Sequence, residues 1–163
     1  EEGEIVFGLL YDPTCDDWIE ARLGEGAWFV RQGAEPMALR TSGFDGILSD
    51  SFGFVGLYLY HGADQARLAA TLPGFRRTIS LRCSCHEYRL LVQGRSDFGL
   101  SAMLNVWDHA AGVLALREAG GVARLLDGQE YRPEMREGRL LTAASAPLWE
   151  QLAELWADLR DQS

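Results

Sequence analysis

The stretch from Asn105 to Gly121 restricts the possible folds more than any other part of the chain. Trp107, Asp108 and His109 are followed by Ala110, Ala111 and Gly112, then by Val113-Leu114-Ala115-Leu116 and Arg117-Glu118-Ala119-Gly120-Gly121. Apolar spacing and good helix formers predict a helix of about three turns. Its first turn is almost bare of side chains, so it can approach a neighbouring strand closely. Gly120 suits the left-handed residue that ends many helices. Asp108 stands at the helix mouth, where backbone N–H groups are unpaired and the helix dipole favours negative charge. It reads either as an N-cap or as a carboxylate offered to a ligand. In open α/β sheets, ligands bind outside the carboxyl ends of strands and near helix N-termini. One carboxylate there can hold a hard divalent cation.

The bulk numbers narrow the classes. A chain of 163 residues with 47% apolar content can bury one core and form a single domain. Net charge is −9 and no lysine- or arginine-rich run occurs, which argues against a nucleic-acid surface. An anionic substrate would need a bridging cation. No apolar run is long enough for a membrane span, and none has the shape of a signal peptide. Cys15, Cys83 and Cys85 are odd in number and lack zinc spacing. The Cys83-Ser84-Cys85-His86 cluster offers too few ligands for a metal, so reduced, cytoplasmic thiols are expected.

Alternation and β-formers predict strands over 5–11, 18–23 and 27–31, with an edge strand over 37–39. Residues 1–40 are thus expected to form an antiparallel meander. After residue 41 the pattern changes. A short buried strand is expected over 47–49, while 52–60 is aromatic, glycine-broken and without clear period. Helices are predicted over 63–72 and 84–92, strands over 77–81, 98–100, 122–126 and 139–144, and a terminal helix over 147–159 capped by Ser145. This alternation implies βαβ crossovers and mixed pairing. The fold class is α/β, layered, with 1–40 as the end of a first antiparallel sheet and 41–163 as an α/β part. Glu1-Glu2-Gly3-Glu4 reads as a hairpin turn whose first strand precedes Glu1, as though the sequence were cut there.

Trp107-Asp108, the small residues after it and Glu118-Ala119-Gly120-Gly121 resemble the second signature of the inositol monophosphatase family. Gly8 to Pro13, Gly24-Glu25-Gly26-Ala27, Gly94-Arg95-x-Asp97 and residues 122–128 also resemble successive segments of that family. The resemblance implies an αβαβα fold, of which this chain is the C-terminal portion. It implies a Mg²⁺-dependent, lithium-sensitive phosphomonoesterase, often dimeric, acting on inositol phosphate or a related small phosphorylated metabolite. Relatives cleave fructose bisphosphate, histidinol phosphate or nucleotide 3′-phosphates. Carried over by position, Asp108 is a metal ligand that also touches substrate hydroxyls. Arg82, Cys83 and Ser84 fall where the family has Gly-Ser/Thr-Ala facing the substrate. Ser101 falls where some members place a hydroxyl-binding glutamate.

Two departures matter. A serine at 101 cannot accept a pair of hydroxyls as a carboxylate can, which weakens the case for free myo-inositol phosphate. Arg82 in place of glycine could hold a second anionic group, or simply be a solvated charge. The family's first signature, Asp-Pro-(Ile/Leu)-Asp-Gly-Thr, is missing from the sequence. Asp12-Pro13-Thr14-Cys15-Asp16-Asp17 imitates it, but Cys15 stands where its second aspartate belongs and no Gly-Thr follows. The resemblance therefore puts the catalytic groups and most metal ligands upstream of Glu1, and implies that these 163 residues alone are inactive. Glu118 reads as a helix-end or interhelical partner, Glu87 as structural, and neither His61 nor His109 as a catalyst. The rival reading is a catalytically dead family member that serves as a binding or dimerising subunit.

Overall fold

A computed structural model describes residues 3–159. The first sheet is an antiparallel meander in sequence order: β1 (Phe7–Asp12), β2 (Asp17–Arg22), β3 (Gly26–Arg31) and β4 (Met37–Ala38). The second sheet contains β5 (Phe52–Val55), β6 (Arg77–Ile79), β7 (Phe98–Ser101), β8 (Val122–Leu125) and β9 (Leu140–Ala143), in the order β6-β5-β7-β9-β8. β5 runs parallel to β6 and β7, while β9 is antiparallel to β7 and β8. The expected meander and the expected mixed sheet are both present.

Four helices join the sheets into layers: α1 (Gly62–Thr71), α2 (Ser84–Val92), α3 (Val106–Glu118) and α4 (Ala146–Leu155). α2 and α3 lie between the sheets. One core cluster joins Leu10, Ile19 and Ala21 of the first sheet to Leu91 and Val113 of these helices and to Leu140 of the second sheet. A second cluster forms on the opposite face of the second sheet, where Leu141 meets Leu68 of α1 and Leu148 and Leu152 of α4. Leu140 and Leu141 thus belong to different clusters, as strand alternation requires. α1 and α2 connect β5–β6 and β6–β7 and cover opposite faces. The carboxyl ends of β5, β6 and β7 therefore face the crevice where a doubly wound sheet reverses direction.

The bare turn of α3 fulfils its expected purpose at two contacts. A Cβ on Gly8 of β1 would lie 2.8 Å from the Ala111 carbonyl oxygen and 2.9 Å from its Cα. A Cβ on Gly112 would enter the Tyr88 ring of α2. Gly120 ends α3 in the left-handed region, at φ 92°.

Local departures have local reasons. Residues 47–49 are not a strand: Leu48–Asp50 form a 3-10 turn, closed by the Ser51 amide and the Ser51 hydroxyl on the Leu48 carbonyl. The unclear stretch 52–60 divides into β5 and a 3-10 turn over Leu57–Leu59, with Gly56 at the junction. The terminal helix ends at Leu155 and continues as a 3-10 turn over Ala157–Leu159. Its Ser145 cap is as expected, accepting from the Leu148 amide at 3.3 Å.

Candidate active site

The sequence-derived site residues converge on one cavity of about 220 Å³. Arg82, Cys83, Ser84, Ser101 and Asp108 all line it. It opens at the carboxyl ends of β5 and β7, where Gly56 and Ser101 stand, and at the N-termini of α2 and α3. Ligand pockets usually hold roughly 300–1,000 Å³, so this cavity is smaller than a usual ligand pocket.

Asp108 is not an N-cap. The cap of α3 is Asn105, in extended conformation, and Asp108 is the third helical residue. Its carboxylate accepts from the Ser84 hydroxyl at 2.9 Å and from Asn105 Nδ2 at 3.0 Å. Both donors are neutral side chains. The Ser84 bond ties the first turn of α2 to the first turn of α3, so two positive helix ends meet at one carboxylate. The α2 cap, Cys83, makes no side-chain capping bond, which leaves the first amides of that helix without a side-chain acceptor.

His109 and Tyr88 hold this arrangement from below. The Met103 carbonyl lies 2.6 Å from His109 Nε2 and can only accept, so Nε2 carries a proton. Burial lowers the His109 pKa, favouring the neutral ring. Nδ1 is then an acceptor, and the Tyr88 hydroxyl donates to it at 3.0 Å. This chain pins the 102–105 loop that launches α3. No local sequence pattern points to it, because Tyr88 and His109 are 21 residues apart. Asn105, three residues before Asp108, was the one partner that spacing alone could have revealed.

The other predicted residues differ in how committed they are. Ser101 spends its hydroxyl on its own loop, donating to the Met103 carbonyl and accepting from the Met103 amide, both at 3.2 Å. Arg82 has φ 56°, a left-handed value rare outside glycine, and its guanidinium lies 4.7 Å from the Tyr58 ring centroid. Glu87 lines the cavity too. It accepts from the Leu81 amide at 2.8 Å, and burial pushes its carboxyl pKa up.

Three further carboxylates are occupied elsewhere. Glu118 is not an interhelical partner: it reaches from the end of α3 to the β2–β3 turn and accepts from the Gly24 and Gly26 amides, each at 2.8 Å. Asp97 is buried, bonded to the Ser42 hydroxyl and the Phe52 amide. Asp17, in the imitation signature, is buried against Arg89 and Arg31. Among the described residues, no group of three His, Cys, Asp or Glu could hold a metal ion. The donor set around Asp108 supplies one carboxylate, which is one ligand and not a metal centre.

The family model for inositol monophosphatases matches residues 1–163. The chain belongs to the inositol monophosphatase family. The inositol-1-monophosphatase of Mesorhizobium japonicum is 30% identical over 130 residues, 78% of this chain and 47% of the relative. That of Caulobacter vibrioides is 28% identical over 157 residues, covering 94% and 59% respectively. The solved structure of an inositol monophosphatase from Zymomonas mobilis superposes with a TM-score of 0.83, at 19% identity, over 96% of this chain and 59% of that one. This likeness shows that the fold is shared. The inositol monophosphatase-family chain thus spans about half the length of the curated relatives it matches.

Proposed function

We propose that these residues form the C-terminal part of a Mg²⁺-dependent phosphomonoesterase acting on inositol phosphate or a related small phosphorylated metabolite. Family membership supports the phosphatase class. The observation that carries the site assignment is Asp108, a carboxylate held by two neutral donors where two helix N-termini open on one cavity. In this reading Asp108 is one Mg²⁺ ligand and orients substrate hydroxyls, while Ser84 keeps its carboxylate aimed. Cys83 and Ser84 present the first amides of α2 to the substrate, and Ser101 forms the opposite wall.

The residues described do not make a metal centre by themselves. The remaining ligands belong to the family's first signature, which this sequence lacks, and the 163 residues alone are inactive. Lithium sensitivity, cytoplasmic action and homodimerisation of the full-length protein accompany this reading and rest on family membership alone.

The test is phosphate release from inositol 1-phosphate by the full-length protein, with and without Mg²⁺, beside Asp108→Asn. Loss of a residue that merely supports a metal ligand costs about 10–100-fold, so loss of the ligand itself should cost at least about 100-fold. Undiminished activity in Asp108→Asn would sink the assignment. No activity in any full-length protein would favour the catalytically dead, binding or dimerising subunit.

A further inference from the structure

We propose that Arg82 is a specificity-determining residue that selects substrates carrying a second phosphate besides the one cleaved. The inference rests on the phosphatase reading above and deepens it. Arg82 occupies a left-handed backbone position, φ 56°, where glycine would sit without strain. A side chain at such a site is costly, and costly backbone geometry concentrates where the side chain has a use.

The local geometry holds that residue at the cavity wall. The Glu87 carboxylate holds the preceding Leu81 amide, and the Ser80 hydroxyl accepts from the Arg82 amide at 3.2 Å. The guanidinium then rests on the Tyr58 ring, 4.7 Å from its centroid, and both residues line the cavity. Stacking on a ring face leaves the edge N–H groups of a guanidinium free for bidentate contact with a phosphate.

The electrostatics point the same way. Every ion pair found among the described residues uses another arginine, and none includes Arg82. Among the residues lining the cavity, Arg82 alone carries a permanent positive charge, while Asp108 and Glu87 are its carboxylates. In a chain of net charge −9, a substrate with two phosphates needs a local cation for the second. Because the loop and the stack already hold Arg82, little ordering cost remains on binding.

The experiment compares kcat/KM for inositol 1,4-bisphosphate and inositol 1-phosphate in the full-length protein. In Arg82→Gly, which suits the backbone, the bisphosphate-to-monophosphate ratio should fall about tenfold or more, through KM, as expected for one charge-assisted contact. Arg82→Lys should restore part of the ratio, and Tyr58→Leu should lower it less than Arg82→Gly does. An unchanged ratio in Arg82→Gly, with both substrates cleaved, overturns the role of Arg82 and leaves the phosphatase reading intact. A wild-type protein that cleaves neither substrate overturns both.

Discussion

Gly112→Ala tests the packing on which the site depends. On an exposed helix this change would stabilise by about 1 kcal/mol, because alanine has the higher helix propensity. In α3 the new Cβ would lie 2.2 Å from Tyr88 Cγ and 2.3 and 2.5 Å from the two Cδ atoms. These atoms belong to the root of a buried ring. Tyr88 is 5% exposed, and its hydroxyl is tied to His109. Forcing a methyl into such a contact costs about 1–3 kcal/mol. If the ring moves, the His109 bond breaks, and an unpaired buried polar group costs a further ~1–3 kcal/mol. After subtracting the propensity gain, Gly112→Ala should destabilise by roughly 3 kcal/mol. The assay is urea unfolding followed by tryptophan fluorescence, read as a midpoint shift at constant m. In a Tyr88→Ala background the clash is gone, so the same Gly112→Ala change should stabilise by about 1 kcal/mol. Stabilisation of the wild type, or an equal loss in both backgrounds, would refute the reasoning.

Two further changes probe the carboxylates outside the cavity. Glu118→Ala removes the acceptor of two turn amides and should cost about 1–2 kcal/mol, with faster hydrogen exchange at Gly24 and Gly26; unaltered exchange there would contradict the clamp. Burial alone would raise the Asp17 pKa, yet hydrogen bonds from Arg31 and Arg89 hold it below the ordinary carboxylate range. The folded state therefore binds this proton less readily than the unfolded one. The resulting stability is fully present above the ordinary carboxylate pKa and is lost as pH falls through the folded value. Asp17→Asn should flatten this acid limb and cost about 3 kcal/mol at neutral pH, because Arg89 stays buried without its counter-charge. An unchanged acid limb would count against the pairing.

Much of the fold was legible because its signals are short-range. The meander follows from period-2 strands and the Gly24 and Gly26 turn, and the mixed sheet follows from alternating helix and strand patterns. The strand expected over 47–49 failed because Ser51 closes a local turn that competes with extension, an effect apolar content cannot reveal. Resemblance singled out Asp108, Arg82, Cys83, Ser84 and Ser101, and the structure places all five on one cavity. What escaped were contacts between residues distant in sequence: Tyr88 with His109, and Arg82 with Tyr58. Glu118 stands at the helix end, as one of its two readings had it, but its amide partners escaped for the same reason, lying 92 and 94 residues away.

The partners of each carboxylate distinguish structural acids from the one offered to a ligand. Asp17 meets two arginines, Asp97 meets a backbone amide and a hydroxyl in the core, and Glu118 meets two amides. Asp108 meets only the Ser84 hydroxyl and the Asn105 amide group, and no ion pair among the described residues includes it. Among the described residues its charge is thus supported by the ends of α2 and α3, worth about 0.3–1 kcal/mol each, and not by an ion pair. An asparagine at 108 could keep the Ser84 bond through its oxygen, and Asn105 could turn its own oxygen toward the new NH₂. Asp108→Asn should then change stability by no more than about 1 kcal/mol, whereas Asp97→Asn loses a buried charge-assisted bond to the Phe52 amide and should cost about 2 kcal/mol. Paired urea titrations of the two variants decide the matter. A loss at position 108 as large as that at 97 would make Asp108 a structural residue and remove the basis for a ligand there.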